Sequence, residues 1–360
     1  MGYQPKNVLV TGGAGFIGSN FVRYLLAHEP EIRIINLDLL TYAGRLENLT
    51  DLPEAERHTF VHGDICDSSL VAGLLRAHNI DTVVHFAAES HVDRSIIDPG
   101  EFVRTNVTGS FTLLEACRQF WLNERKLGGV TAVSSVRFHH ISTDEVYGSL
   151  GLTDPPFTER TAYDPCSPYS ASKAAADHLV RAYQRTYGLP VTISNCSNNY
   201  GPRQFPEKFI PLLITSALQG QELPIYGDGS NIRDWLYVDD HCAGVHTILR
   251  RGQAGETYNI GGHNEWLNLD LAHWICDRID ATFAADSTLA ARFPNAAAAH
   301  NQPTASTLRF VVDRPGHDQR YAIDATKIER ELGFVPKETF ETGFDKMLAW
   351  YYSPTEHARL

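Results

Sequence analysis

The chain lacks the sequence features of several protein classes. Its 360 residues contain no apolar run long enough to cross a membrane. The formal net charge is −12, and the sequence shows no stripe of basic residues. Neither a nucleic acid nor an anionic membrane is therefore an expected partner. The stretch from Met1 to Lys6 is polar and gives no sign of a signal peptide. Together these absences favour a cytoplasmic protein.

Cysteine pairs and metal-ligand spacings are also missing. The six cysteines are scattered and form no Cys-x-x-Cys motif, which is typical of free thiols in a reducing compartment. The 16 histidines show no zinc-ligand spacing, so we expect no metal site. With 43% apolar residues, the chain can form one large domain and a smaller one.

A glycine-rich turn near the N-terminus indicates a dinucleotide site. The apolar run Asn7 to Thr11 is followed by Gly12, Gly15 and Gly18, and then by an amphipathic helical pattern through Leu26. Glycines between a strand and a helix let the backbone approach a pyrophosphate, which the helix N-terminus also attracts. Many glycine turns bind nothing, but this position in the chain favours a dinucleotide.

Two aspartates follow the next strands. Asp38 ends the predicted strand from Arg33 to Leu37, about twenty residues past the glycines, where a carboxylate binds an adenosine ribose. Because a carboxylate there repels a 2′-phosphate, we favour NAD over NADP; an ordinary cap is the alternative. Asp64 follows a third strand, Thr59 to His62, and either reaches the adenine or caps the helix that begins near Ser68.

Strand and helix patterns alternate about six times in the first half of the chain. Strand four, Thr82 to Phe86, leads into Ala87 and Ala88, whose small side chains leave room for a flat ligand. The alternation predicts a Rossmann-type doubly wound parallel sheet with a smaller C-terminal substrate-binding α/β domain. We expect the NAD-binding domain at 1–195, with returning segments near 232–262, and mainly the substrate domain at 196–360.

A second cluster of residues offers groups for proton transfer. Thr143, Asp144 and Glu145 follow strand five, at the sheet edge where active groups of open α/β sheets collect. Tyr169 and Lys173 are four residues apart in a helical pattern, so they share one face. A surface helix pair and a solvated acidic turn are the structural alternatives, and the glycine turn argues against both.

These motifs resemble the extended branch of the short-chain dehydrogenase/reductase superfamily, and within it the nucleoside-diphosphate-glucose 4,6-dehydratases of the dTDP-glucose type. The adjacent Thr-Asp-Glu is what separates that type from sugar epimerases and from relatives without the aspartate. The likeness spans Val8 to about Tyr352. Its further motifs are E-S-H-V-D-R-S (Glu89 to Ser95), S-N-N-Y-G-P (Ser197 to Pro202), F-P-E-K-F-I-P (Phe205 to Pro211), I-R-D-W-L-Y-V-D-D (Ile232 to Asp240) and D-R-P-G-H-D (Asp313 to Asp318).

The resemblance implies a lyase that converts dTDP-glucose to dTDP-4-keto-6-deoxyglucose and water with tightly bound NAD. Tyr169 would deprotonate the 4-hydroxyl, with Thr143 completing the triad and Lys173 lowering the pKa of the tyrosine. Glu145 would remove the C5 proton. Asp144, with its pKa raised by Glu145 and by burial, would protonate the departing 6-hydroxyl.

The resemblance also implies the ligand-binding residues and a homodimer. The helices Glu101 to Arg125 and Tyr169 to Tyr187 would pair with a second copy in a four-helix bundle. For NAD the residues are Gly12, Gly15, Phe16, Ile17, Gly18, Asp38, Asp64, Ile65, Ala87, Ala88, Thr105, Tyr169 and Lys173. For the nucleotide sugar they are Ser90, His91, Thr143, Asn198, Glu207, Lys208, Tyr226, Arg233, Asn268, Arg314 and His317.

Several substrate residues have structural alternatives. Arg233, flanked by apolar residues, needs an anion and could pair with Asp234 or Asp239 instead of a diphosphate. Asn268 could cap a helix that begins at Leu269, and Lys208 could be a solvated surface lysine. Glu207 and Lys208 are expected to begin a helix.

Two other functions stay open on the sequence. One is a dehydratase for another nucleoside diphosphate hexose, such as CDP-glucose. The other is a non-catalytic NAD-binding scaffold, although a sensor needs no acid/base pair. The Ala-rich stretch from Thr282 to Thr307 departs from the family pattern, and we expect a surface excursion with some helix.

Overall fold

The computed structural model describes residues 3–353, so the extreme ends of both expected domain ranges lie outside it. The strands are β1 (Asn7–Thr11), β2 (Arg33–Asp38), β3 (His58–His62), β4 (Thr82–His85), β5 (Arg137–Thr143), β6 (Val191–Cys196), β7 (Asn198–Tyr200), β8 (Leu223–Tyr226), β9 (Ile232–Tyr237), β10 (Thr257–Ile260), β11 (Glu265–Leu267) and β12 (Leu308–Val311).

The α-helices in chain order are α1 (Phe16–His28), α2 (Ser68–Ala77), α3 (Val92–Ile97), α4 (Pro99–Phe102), α5 (Ser110–Cys117), α6 (Gly129–Ser135), α7 (Pro168–Tyr187), α8 (Phe209–Gln219), α9 (Val238–Arg251), α10 (Asn268–Ala285), α11 (Thr288–Arg292), α12 (Thr326–Leu332) and α13 (Phe340–Tyr351). The helix expected from Glu101 to Arg125 contains two π-helical stretches, Val103–Gly109 and Arg118–Glu124. Within residues 3–353, no helix is long and apolar enough to cross a membrane.

A seven-stranded sheet in the order β10-β6-β5-β4-β1-β2-β3 forms the centre of the molecule, and all its pairs are parallel. Every residue of β5 and β6 is buried, as expected for strands that helices cover on both faces. Helix α1 packs on one face through Phe21 and Leu25, and α5 packs on the other through Leu113. The predicted doubly wound Rossmann-type sheet is confirmed.

Two smaller sheets, β11-β9-β7 and β12-β8, follow in the second half. Residues of α8, α10 and α13 form one apolar cluster beside them, with Ile210, Leu271 and Phe344 fully buried. Of the segment expected to return to the first domain, β10 joins the large sheet and α9 packs on α1, whereas β9 pairs with β7 and β11. The domain division itself stays a prediction.

Much of the Ala-rich stretch is exposed and it contains the short helix α11, as expected of a surface excursion with some helix, but a few of its side chains reach the core. Leu289, Phe293 and Ala296 are buried in the same cluster as Phe283. The Thr304 hydroxyl donates to Asp280 of α10 at 2.5 Å. The apolar residues recur three or four positions apart, a helical period that the surrounding alanines concealed.

Candidate active site

A cavity of about 420 Å³ opens at the carboxyl ends of the central strands. This is the edge where open parallel sheets bind their ligands. Every residue assigned above to cofactor or substrate lines this cavity. The structure thus brings the predicted residues together, while the ligand that each one contacts stays a prediction.

The glycine turn forms one end of the cavity by close backbone approach. Gly12 has φ of +72°, and a Cβ there would lie 2.6 Å from the backbone nitrogen of Ala87. A Cβ on Gly18 would lie 2.2 Å from the carbonyl oxygen of Gly12. Since real Cβ atoms do not approach so closely, these two positions admit only glycine without a backbone shift. Helix α1 begins just after the turn, with its first N–H groups at this end.

Asp38 is fixed against the same turn. Its Oδ2 accepts the Ala14 N–H at 2.8 Å, and its Oδ1 accepts the Leu40 N–H at 2.8 Å. Burial raises the pKa of Asp38, although both backbone donors favour the carboxylate. An anchored carboxylate beside a glycine cradle fits a dinucleotide ribose and would repel a 2′-phosphate.

Asp64 does not cap a helix, because the cap of α2 is Asp67, whose side chain accepts from Ser69 and Leu70. Asp64 instead accepts the Cys66 N–H at 2.8 Å and pairs with Arg104. The loop after β2 also lines the cavity, which the sequence did not predict. Its residues Thr41, Ala43 and Gly44 line the cavity, but they carry no motif of their own.

Tyr169 and Lys173 lie on the buried face of α7. The Lys173 Nζ donates to the Ile141 carbonyl at 2.7 Å, and burial lowers the pKa of Lys173 to about 8. The pKa of Tyr169 is held well above its ordinary value by burial first and then by Glu145. The expected lowering by the Lys173 charge stays a prediction, because burial and neighbouring anionic groups are the main influences on the pKa of the Tyr169 phenol.

Asp144 and Glu145 occupy a single 3₁₀ turn, Asp144–Tyr147, that directly follows β5. The Thr143 hydroxyl donates to Asp144 Oδ1 at 3.4 Å and accepts the Glu145 N–H at 3.3 Å. Asp144 is 1% exposed, and its Oδ2 has no partner among the described residues.

Burial, Glu145 and Asp234 hold the pKa of Asp144 well above its ordinary value, which confirms the predicted direction. Burial also raises the pKa of Glu145, but Lys208, Arg314 and Arg233 oppose that rise. The two neighbours therefore differ in environment, with Asp144 favoured as the acid and Glu145 nearer to the cations.

Arg233 does not pair with a neighbouring aspartate. Its guanidinium donates to the carbonyls of Ile232 at 2.7 Å and Asp318 at 2.8 Å, and it lies 4.2 Å from the Tyr321 ring centroid. Within residues 3–353 we find no ion pair for it. Asp234 instead accepts two backbone N–H groups, from Gly262 and Asn264. A buried guanidinium in this state is a suitable site for an anionic ligand.

The other substrate cations have weak or backbone partners. Arg314 lies 3.5 Å from Asp93 Oδ1, and Lys208 donates to the Ser90 carbonyl at 2.8 Å. Lys208 is half-buried and caps α8, which begins at Phe209, so the expected helix start at Glu207 is two residues early.

The histidines and Glu207 complete this rim. His317 Nδ1 lies 2.7 Å from Asp313 Oδ1, and burial with Arg314 lowers the pKa of His317. Glu207 lies 3.6 Å from His91 Nε2. The 3.6 Å separation of the His91–Glu207 pair is long for an ion pair, so this pair contributes little stability and can be replaced by contacts to a ligand.

Several buried polar atoms on the cavity have no hydrogen-bond partner in the described part of the chain, among them Asp144 Oδ2, Asn198 Oδ1, Asn268 Oδ1 and Trp235 Nε1. Unpaired buried groups are costly, so a ligand is the natural partner. Asn268 is the first residue of α10, with Leu267 at the cap, so the capping alternative is wrong. Trp235 was missed, although it lies two residues from Arg233 on β9 and so shares its strand face.

Comparison with known proteins gives concordant matches. A family model described as GDP-mannose 4,6 dehydratase matches residues 9–347. The dTDP-glucose 4,6-dehydratase of Neisseria gonorrhoeae is 54% identical over 96% of this chain and 95% of the relative. That of Salmonella typhimurium is 52% identical over 97% of this chain and 93% of the relative.

A solved structure agrees with these relatives. The dTDP-glucose 4,6-dehydratase DesIV of Streptomyces venezuelae, solved with NAD bound, superposes with a TM-score of 0.83 at 46% identity, covering 96% of each chain. With a family model over nearly the whole chain and relatives at 52% and 54% identity, the chain belongs to the GDP-mannose 4,6 dehydratase family and, within it, to the dTDP-glucose 4,6-dehydratases.

Proposed function

We propose that this chain converts dTDP-glucose to dTDP-4-keto-6-deoxyglucose and water, using a tightly bound NAD. The observation that carries the proposal is the Asp144–Glu145 pair, buried at Asp144 and half-buried at Glu145, which lies on one cavity with Tyr169, Lys173 and the glycine turn. Sugar oxidation alone needs no second acid and base. The relatives named dTDP-glucose 4,6-dehydratase support the same reaction.

The oxidation begins at the sugar 4-hydroxyl. The glycine turn and Asp38 would hold NAD, which when bound would supply the hydride chemistry of the oxidation at C4 and the reduction at C6. Tyr169 takes the 4-hydroxyl proton, and Thr143 orients that hydroxyl. Lys173 holds the cofactor ribose and contributes positive charge beside the phenol, which favours its ionised form.

The elimination uses the two carboxyl groups. A ketone at C4 acidifies the C5 proton; Glu145 removes this proton and returns it to C5 when C6 is reduced. Asp144 donates a proton to the 6-hydroxyl, which leaves as water. Its burial and the adjacent Glu145 keep Asp144 protonated in the range where ordinary aspartates are ionised, so it starts the step as an acid.

The substrate end fits a nucleoside diphosphate. Arg233 and Arg314 are the diphosphate ligands, because guanidinium groups contact phosphate oxygens in pairs. Glu207 and Tyr226 are the base contacts, with Tyr226 partly exposed on β8 at the cavity wall. Base choice is the feature that separates the thymidine substrate from a CDP-glucose alternative.

We also propose that the protein is a cytoplasmic homodimer. Val103 is 55% exposed, Phe111 46% and Tyr187 48%, and all three lie on the helical segments expected to form the bundle. Covering them with the same helices of a second copy would remove apolar surface from water. Elution as a monomer at micromolar concentration would contradict the dimer. The six free cysteines support a reducing compartment.

The test of the activity uses purified protein without added cofactor. Each of dTDP-glucose and CDP-glucose is incubated separately, the solution is made alkaline, and the absorbance of the 4-keto sugar is read. A signal with dTDP-glucose supports the proposal. A signal with CDP-glucose alone would support the same mechanism with a different nucleotide base. No signal with either sugar, even after NAD is added, would favour the non-catalytic NAD-binding scaffold.

A further inference from the structure

One buried carboxylate beside the catalytic residues has no role in the mechanism above. Asp177 lies on α7 four residues after Lys173 and eight after Tyr169, so the three side chains share one helix face. Asp177 is fully buried, with 0% exposure. Burying an ionised carboxylate is costly unless its environment pairs it, so its contacts indicate what it does.

The contacts of Asp177 run to the strand that carries the acid/base groups. Its Oδ2 accepts the Ser142 hydroxyl at 2.9 Å and the Tyr163 hydroxyl at 2.7 Å. Its Oδ1 lies 3.2 Å from His140 Nε2. Ser142 and His140 are both on β5, and Ser142 directly precedes Thr143. The carboxylate therefore connects α7 to the end of β5.

A second link runs parallel to the first. The Lys173 ammonium donates to the Ile141 carbonyl, also on β5. Lys173 and Asp177, one turn apart on the helix, are thus hydrogen-bonded to Ile141 and Ser142, which are adjacent on the strand. Helix–strand spacing at this point sets the distance from Tyr169 to the sugar-facing groups of Thr143, and misplacements of about 1 Å can cost on the order of 100-fold in rate.

We propose that Asp177 is a positioning residue of the reaction, which holds α7 in register with the catalytic end of β5 and keeps Lys173 in its ammonium form. The proposal rests on the proposed function, because Tyr169 and Lys173 act only there. Asp177 is not among the residues that line the cavity, whereas Lys173 and Ser142 are, so Asp177 acts through these two.

The electrostatics agree with this role. Burial opposes ionisation of Asp177, but the adjacent His140 imidazole, Lys173 and the Tyr163 hydroxyl together lower its pKa below the ordinary value. Burial lowers the pKa of His140 to about 4, so the imidazole is neutral near pH 7. The titratable and charged groups that face the Lys173–Asp177 pair are Tyr169 and Arg181 on α7, His140 on β5, His85 on β4, Cys196 on β6 and Tyr163 on the preceding loop.

Among these groups, Asp177 supplies the main anionic charge that opposes the desolvation of Lys173. Burial is the largest influence on the pKa of Lys173 and brings it to about 8, while Asp177 raises it. A neutral residue at 177 removes that support. The pKa of Lys173 then falls below its wild-type value. As the pH rises, the ammonium of Lys173 is lost at a lower pH than in the wild type.

The first test is Asp177→Asn, which keeps the shape and removes the charge. The alkaline limb of the kcat–pH profile should move by about one unit to lower pH. The same shift should appear in protein labelled with ¹³C at lysine Cε, where the Lys173 resonance, assigned by its absence in Lys173→Arg, reports protonation without turnover. Asp177→Glu restores the charge and should return both values towards the wild type.

Two further variants separate charge from positioning. Ser142→Ala removes the bond to β5 but keeps the carboxylate, so kcat should fall while the alkaline limb stays in place. Tyr163→Phe removes the other hydroxyl that donates to Asp177 but leaves both links to β5 intact, so kcat should fall less than in Ser142→Ala and the alkaline limb should stay in place.

The outcomes distinguish this proposal from its alternatives. An unchanged limb and an unchanged lysine titration in Asp177→Asn would overturn it, and a lower Tm with a wild-type profile would mark a purely structural carboxylate. If Asp177→Asn does not fold, a wild-type kcat in Ser142→Ala would equally overturn the positioning role. Because the NMR titration needs no substrate, failure of the proposed reaction in the wild type leaves the lysine result readable.

Discussion

The two ends of the cavity are built in different ways. The cofactor end is formed by backbone in close contact, where Gly12 and Gly18 have no room for a Cβ and Asp38 is held by two N–H groups. The substrate end is formed by charged side chains from distant segments, joined by ion pairs such as Arg314 to Asp93 at 3.5 Å. A closed end suits a retained cofactor, and an adaptable end suits a substrate that exchanges each turnover.

The largest effect is expected between the two ends, at the acid/base pair. Glu145→Gln and Asp144→Asn should lower kcat by about 10²- to 10⁴-fold, since each removes one proton transfer. Both ends stay intact, so dTDP-glucose should still bind and reduce the bound NAD, as seen by the absorbance of the reduced nicotinamide. Full turnover in both variants would show that these carboxyl groups do not perform the elimination.

The next effect tests the closed end. Gly18→Ala places a Cβ against the Gly12 carbonyl and should destabilise the fold by about 1–3 kcal/mol. It should also release NAD and lower activity about 100-fold through displaced geometry. Chemical denaturation and cofactor content after dialysis are the measurements.

Gly73→Ala is the matched control, because a Cβ there meets nothing within 4 Å on the exposed side of α2. It should stabilise the helix by about 1 kcal/mol and leave NAD content unchanged. Equal NAD content in the two alanine variants would contradict the close-contact account of the cofactor end.

A smaller effect tests the adaptable end. Arg314→Ala should raise KM for dTDP-glucose about 10-fold, with kcat and Tm near the wild type, because its one described ion pair is long. Arg233→Ala should raise KM and also lower Tm, because that guanidinium holds the carbonyls of Ile232 and Asp318. Steady-state kinetics gives KM and thermal unfolding gives Tm for both variants. Equal changes in KM and Tm in the two variants would refute the difference between the two arginines.

The smallest effect concerns stability and pH. The folded-state pKa of Asp144 lies above its unfolded value, so its contribution to stability is present at low pH and is lost as pH rises through the folded pKa. Asp144→Asn should therefore match the wild type in free energy of unfolding near pH 4 and exceed it near pH 8. Asp277→Asn on the exposed face of α10 is the control and should show no such trend. A wild-type advantage at pH 8 would mean that the Asp144 carboxylate is stabilised in the fold.

The cofactor end was largely predictable from the sequence because its parts are contiguous. The strand, the glycines and Asp38 lie within one βαβ unit, where local pattern fixes geometry. The proposed catalytic residues could also be predicted from the sequence, because Thr143 to Glu145 follow one strand and Tyr169 and Lys173 are one helical turn apart.

The substrate end was harder to predict because its contacts depend on tertiary packing. The Arg233 guanidinium bonds to carbonyls some 85 residues away, a pairing that no spacing rule reveals. The net rise in the pKa of Tyr169 was not predicted, because the burial that causes it is a property of the folded cavity. The core position of Leu289 was hidden for the same reason, as its helical period lies among alanines.

The most direct test of the account follows one hydrogen atom. dTDP-glucose carrying deuterium at C4 is given to protein that has been dialysed and receives no added NAD, and the product is analysed by mass spectrometry and NMR. Retained cofactor and complete turnover predict that deuterium moves to C6 of the same sugar. Deuterium lost to solvent, or product formed only when NAD is added in excess, would contradict a cavity with one closed end and one exchanging end.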